Sequence, residues 1–236
     1  MAVSPLQPVP LTIPSASNCI LWMRPQDTRS SNMTTSAGRL SAIKNLANNR
    51  ILINQVTAAY QPASGVATIN GLNALQYDND NNRRLSTNIT NQANLTIFSV
   101  IQQFVTGVQA HVIAGTGAEQ TMRLASDNGF TCNDGSTALA LTGGTSILTA
   151  PAILAVRANA SLLTRNLYKN SATAGTSGVY DGLIGTQFFG ANGSGASGAR
   201  GGFNQGETII YNKALSDSEV LTIMRYLANQ WGVILT

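Results

Sequence analysis

The chain has 236 residues, of which only 10% are charged, with a formal net charge of +4. A globular surface normally carries about a quarter charged residues, so solubility here rests on Ser, Thr, Asn, Gln and Gly. The basic residues are scattered, with only Arg83 and Arg84 adjoining, which argues against a nucleic-acid footprint; two isolated cysteines, Cys19 and Cys132, do not make a disulfide framework and read as buried thiols; no apolar run approaches membrane-spanning length.

The opening stretch, MAVSPLQPVPLTIPSASN, has neither a basic n-region nor an apolar h-region, so the expectation is a protein made in the cytosol without a signal peptide. Pro5, Pro8, Pro10 and Pro14 hold this segment extended and remove donors, predicting an arm over residues 1–17 that lies on a neighbouring surface, with a single domain over 18–236. Strand candidates then follow at 19–23, 73–77, 95–102, 108–114, 121–125, 153–158, 162–169 and 207–211, with Gly, Asn, Asp and Ser clusters between them. This spacing predicts an all-β antiparallel sandwich or jelly roll. Residues 32–56 read as a short helix or a long loop.

The C-terminal segment predicts a packed helix. Ser216 is placed to cap it and Glu219, three positions on, completes a capping box, with Leu215 and Val220 as the hydrophobic staple. Val220, Ile223, Met224, Leu227 and Trp231 recur on one face, and Gly232 is the expected stop.

The run Glu207-Thr-Ile-Ile-Tyr211-Asn212, the Ala-Leu215-Ser216-Asp217-Ser-Glu219 cap and Tyr226-Leu227-Ala228-Asn-Gln-Trp231-Gly232 resemble the C-terminal signature of concanavalin A-like, laminin-G-type jelly rolls of a bacterial and phage branch. Leu21-Trp22-Met23-Arg24, Asn70-Gly71-Leu72 through Tyr77-Asp78, and Thr96 to Val100 are similar to earlier motifs of that family. The chain departs from it at Ala42–Asn49, where a Trp-x-Asp-x-Ser-Gly turn is usual, and after Asp78, which Asn79 follows in place of Gly. The resemblance implies a concanavalin A-like sandwich with the helix docked on it.

Relatives of such a fold include glucan hydrolases, which need two carboxylates a few ångströms apart. The glutamates here, Glu119, Glu207 and Glu219, have no acidic partner along a strand, so a glycoside hydrolase is the minor reading. Glu207 shares a strand face with Ile209 and Tyr211 and is expected to be a structural acid partnered with an arginine. His111, the sole histidine, alternates with apolar neighbours and offers no nucleophile relay, and one His with two distant Cys cannot furnish a zinc site. No cofactor is expected, with calcium on the Asp78–Asn82 turn, through Asp78 and Asp80, as the one alternative to an ordinary Asn/Asp turn. The GSGASG run at 193–198 lacks a strand-to-helix context for nucleotide binding. The sequons at Asn32, Asn88, Asn94, Asn159 and Asn192 read as chance in an Asn-rich chain.

These observations lead to a non-enzymatic structural component of a phage virion, on capsid, tail or fibre, with no nucleic-acid or membrane partner. The arm would contact other virion proteins, and the chain would form a homo-oligomer or multi-copy assembly. Weak binding of host surface glycans would use Tyr77, Asn82, Arg84, Asn192 and Phe203, with Tyr60 and Tyr180 as further aromatic candidates. The alternative is a carbohydrate-binding module or adhesin of a bacterial surface system.

Overall fold

In the computed structural model the described residues are 16–26, 33–47, 52–78, 83–87, 89, 92–105, 110–115, 120–125, 129–134, 137–143, 146–148, 150–180, 188–190 and 202–236. The strands are Cys19–Met23 (β1), Met33–Ser36 (β2), Arg39–Lys44 (β3), Leu52–Asn54 (β4), Ala63–Ile69 (β5), Leu72–Tyr77 (β6), Leu85–Ser86 (β7), Leu95–Gln103 (β8), Ala110–Ala114 (β9), Gln120–Leu124 (β10), Phe130–Asn133 (β11), Ala138–Leu141 (β12), Ala152–Asn159 (β13), Thr164–Lys169 (β14), Thr176–Val179 (β15), Phe188–Phe189 (β16) and Phe203–Tyr211 (β17). One α-helix, Asp217–Trp231 (α1), follows them.

Every strand pairing among the described residues is antiparallel, and the pairings run as one network folded into two layers. One layer is ordered β1-β17-β8-β13-β14-β15, with β5-β6 attached along the first half of β17. The other is β2-β3-β4-β7-β16-β9-β10-β11-β12. The chain is thus an antiparallel β-sandwich with a C-terminal helix.

Alternation along β8 shows how the layers are filled. Leu95, Ile97 and Ile101 face the core between the sheets, while Phe98 and Val100 face the opposite side, beneath α1. Both faces of this strand are therefore dry, and every residue of it except Gln102 is buried, Thr96 and Ser99 included. On α1 the buried residues are Val220, Ile223, Met224, Leu227, Ala228 and Trp231, the stripe expected from their spacing. Burying the five larger ones stabilises the docked helix by roughly 10 kcal/mol as an upper estimate, against about 1 kcal/mol for its cap. The capping box forms as the sequence predicts: Glu219 N donates to Ser216 Oγ (3.3 Å) and Ser216 N to Glu219 Oε2 (2.8 Å). Gly232 closes the helix in the left-handed conformation, φ 64°.

The far end of α1 is fastened by the β5–β6 hairpin. Asn70 and Gly71 both have positive φ (49° and 82°), the geometry a two-residue hairpin turn requires. This holds the Asn70 side chain over the helix terminus, where Nδ2 donates to Trp231 O (2.7 Å) and Gly232 O (3.3 Å), carbonyls that have no partner within the helix.

Within 32–56 the described residues correct the sequence expectation: they form β2, β3 and β4, with neither a helix nor a single long loop among them. Leu40 and Ile43 are buried three apart in β3, a spacing that mimics a helix. It is accommodated by a register shift against β2 between Thr34 and Thr35, after an Ala37-Gly38 turn with φ of 50° and 72°. Asn45, at the departure from the family pattern, is fully buried and serves as an extra ladder rung. Its Oδ1 accepts from Trp22 N (2.8 Å) and its Nδ2 donates to Ile20 O (2.8 Å).

A candidate ligand-binding rim and a buried carboxylate

Strand register decides which loops are neighbours. Phe203 at the start of β17 pairs with Tyr77 at the end of β6 and with Gln103 at the end of β8. The segments leaving Tyr77 and Gln103 and the one arriving at Phe203 therefore spring from three adjacent strand ends, spanning roughly 10 Å. Tyr60, from the one-turn helix Ala58–Tyr60, joins this rim because Arg84 N donates to Tyr60 O (2.8 Å) and the Arg84 guanidinium lies 5.0 Å from the centre of the Tyr60 ring.

Two expected sugar-facing aromatics are corrected here. Tyr77 and Phe203 are 1% and 0% exposed and stack on each other with centroids 4.8 Å apart, inside the core between the sheets. Tyr77 lies two residues after the buried Leu75, so the period-2 signal for an inward side chain was present in the sequence. Gly190, at φ 91°, packs so closely that a Cβ there would meet the Tyr77 ring at 2.2 Å. Tyr180 is also buried, its hydroxyl donating to Gln92 O (3.2 Å). The aromatics left on the rim are Tyr60, half-buried beneath Arg84, and Phe104, 43% exposed, whose N donates to Gly202 O (3.0 Å). Phe104 carried no sequence signal, being one residue past a buried strand.

Asp78 forms a salt bridge with Arg83, which is itself nearly buried and donates to Gln61 O (2.7 Å). The carboxylate expected as a calcium ligand already faces a guanidinium, and no group of three His, Cys, Asp or Glu side chains suited to a metal occurs among the described residues. Asp80, Asn82, Asn192 and the prolines Pro5, Pro8, Pro10 and Pro14 lie outside the described residues. Of the sequons, Asn94 and Asn159 hold turns: their Oδ1 atoms accept from Ala160 N (3.0 Å) and Leu162 N (3.1 Å).

Glu207 has the most elaborate polar surroundings among the described residues: the expected arginine partner is present as Arg24, and four further side chains donate to the same carboxylate. A bulge in β17 between Gln205 and Thr208 turns both of those side chains into the core, where they bond with Ser99, and points fully buried Glu207 the other way, under α1. Oε1 accepts from Trp22 Nε1 (2.5 Å) and Tyr226 OH (2.6 Å), and Oε2 from Gln26 Nε2 (3.0 Å) and Trp231 Nε1 (3.2 Å). Arg24 contributes only a longer contact, 3.7 Å. Burial and the Glu207 charge together drive the Tyr226 hydroxyl well above its ordinary pKa, so it stays protonated and donating. With its oxygens occupied by donors from β1, the turn after it and α1, Glu207 is a fastening between layers.

His111 is 2% exposed, and burial, reinforced by the Arg123 charge, lowers its pKa to about 4. Both cysteines are free and buried, their thiols pushed up to about 12 by desolvation, which keeps them from acting as thiolate nucleophiles near neutral pH.

The chain matches no protein-family model and no curated protein. Among solved structures it is similar to the binding domain of Paraclostridial Mosquitocidal Protein 1 (TM-score 0.62, 14% identity, covering 91% of this chain and 53% of that one). It is similar also to the botulinum neurotoxin serotype D binding domain (TM-score 0.57, 13% identity, 89% and 52%) and to Trypanosoma rangeli sialidase (TM-score 0.55, 13% identity, 95% and 35%). The chain therefore spans about half the length of the two binding domains and about a third of the sialidase. These likenesses establish the fold, a β-sandwich found in β-rich binding domains of toxins and in a sialidase.

Proposed function

We propose that this chain is a non-enzymatic binding domain that recognises hydroxyl-rich glycans at the rim formed by the ends of β6, β8 and β17. The observation that carries the reading is the Arg84 guanidinium resting on the Tyr60 ring, with the exposed Phe104 leaving the neighbouring end of β8, a cation and aromatic faces presented at one end of the sandwich. Similarity to two toxin binding domains over about nine-tenths of the chain supports it. Full occupation of Glu207 by protein donors supports a non-enzymatic role, since a glycosidase needs a pair of available carboxylates.

A glycan array probed with and without calcium tests this reading, followed by Tyr60→Ala and Arg84→Ala on any glycan retained. Each variant should weaken binding by about tenfold, in line with about 1 kcal/mol or more for a stacked or cation–π contact. An array without a single calcium-dependent or calcium-independent hit would overturn it.

The setting we infer is a phage virion, with residues 1–17 as the anchor and many copies displayed. The low charge and the four prolines of the arm support this. Deleting residues 1–17 should leave the melting temperature unchanged while abolishing incorporation into particles; normal incorporation of the shortened chain would refute it.

A further inference from the structure

We infer a second, separate saccharide subsite in the cleft between the ends of β12 and β14. The cleft has a volume of about 370 Å³ and is walled by Leu141, Gly143, Lys169, Ser171, Thr173 and Thr236 among others. That volume falls at the lower end of small-molecule sites, roughly 300–1,000 Å³. This inference rests on the glycan reading above but not on the rim.

The walls are held in place by the two sheets. Buried Arg165 on β14 pairs with Asp134 (3.2 Å) and donates to Thr137 O (3.3 Å), tying the β11–β12 hairpin across to the helix-bearing layer. Gly175 and Gly178 let β15 approach β12 closely: a Cβ on Gly175 would lie 2.6 Å from the Leu141 side chain. Lys169 Nζ then bridges the opening by donating to Gly143 O (2.9 Å).

On the other side, Asn170 adopts the left-handed conformation, φ 52°. Its Oδ1 accepts from Ile153 N (2.7 Å) and its carbonyl accepts from Thr236 N (2.8 Å), so the loop and the final residues are pinned together. Thr173 N donates to Ser171 Oγ (3.2 Å), fixing the turn between them.

The chemistry of the lining selects the ligand. Most of the exposed lining is apolar, with Leu141 and Ala174 among its residues, and suits a sugar's C–H face, while hydroxyls of Thr142, Ser171, Thr173 and Thr236 can donate and accept. Lys169 is the one charged side chain among the described lining residues, which favours a neutral or acidic sugar over a cationic ligand.

The test is a ¹⁵N-edited NMR titration of the full chain with free glucose, galactose, N-acetylglucosamine and N-acetylneuraminic acid. The expected result is saturable amide shifts at residues 141–143 and 169–175 with at least one sugar, with affinity at least about tenfold weaker in Thr173→Trp, which fills the cleft from an exposed position. Lys169→Gln, which keeps the shape, should weaken the acidic sugar more than the neutral ones. Absence of shifts with all four sugars, or undiminished binding by a folded Thr173→Trp, would overturn the subsite. Shifts confined to Tyr60 and Arg84 would overturn the cleft and leave the rim standing, whereas cleft shifts alongside an array response indifferent to Tyr60→Ala would do the reverse.

Discussion

Replacing Glu207 by alanine would leave four side-chain donors, on Trp22, Gln26, Tyr226 and Trp231, without their acceptor beneath α1. An unsatisfied buried donor costs about 1–3 kcal/mol, so the gross loss is roughly 4–12 kcal/mol. Part returns, because Arg24, Trp22 and Gln26 lie at the half-buried margin where water can enter the vacated space. A net loss of about 4 kcal/mol is expected, a large fraction of the 5–15 kcal/mol typical of a domain, lowering the Tm by roughly 8–16 °C. Glu207→Gln retains one acceptor oxygen and should lose about half as much. Urea unfolding followed by tryptophan emission is the direct assay, because the chain's two tryptophans both donate to this carboxylate. A Glu207→Ala protein within about 1 kcal/mol of the parent, with unchanged native emission, would refute the fastening role.

Gly206→Ala should cost about 1–3 kcal/mol in chemical denaturation, since the added Cβ would lie 2.9–3.1 Å from the packed Trp231 ring. Asn70→Ala should cost about 1–2 kcal/mol by removing the helix-end bonds and placing alanine at φ 49°, whereas Asn70→Gly, free of the backbone penalty, should cost less; equal losses would show that the bonds alone matter. His111 titrates near 4 in the folded chain against an ordinary 6.5, so the unfolded chain binds more protons between those values. Stability should therefore fall as pH drops from about 6.5 to about 4, by about 3 kcal/mol in all, and His111→Gln should flatten that part of a Tm-against-pH profile.

Local signals in this chain carried the helix and most long strands. The Ser216–Glu219 box, the Val220-to-Trp231 stripe and the Gly232 stop each act within a few residues, so linear order suffices to read them. β1 was legible for the same reason, as was the closing stretch of β17. Strands β2 to β4 were not, because Leu40 and Ile43 are brought to one face by a register shift that depends on the partner strand. The roles of Tyr77 and Phe203 turned on the same kind of fact: an aromatic beside a polar loop looks available until the pairing of β6 with β17 places the two rings face to face.

By itself, then, the sequence determined an antiparallel sandwich carrying an amphipathic helix, since periodicity, capping and turn chemistry are short-range properties of the chain. Tertiary structure alone decided that Asn70 fastens the helix end, that Glu207 gathers donors from residues 181 to 185 positions before it and 19 to 24 after it, and that Arg84 rests on Tyr60. Those contacts join residues far apart in the chain, and only the strand registers bring them within bonding distance.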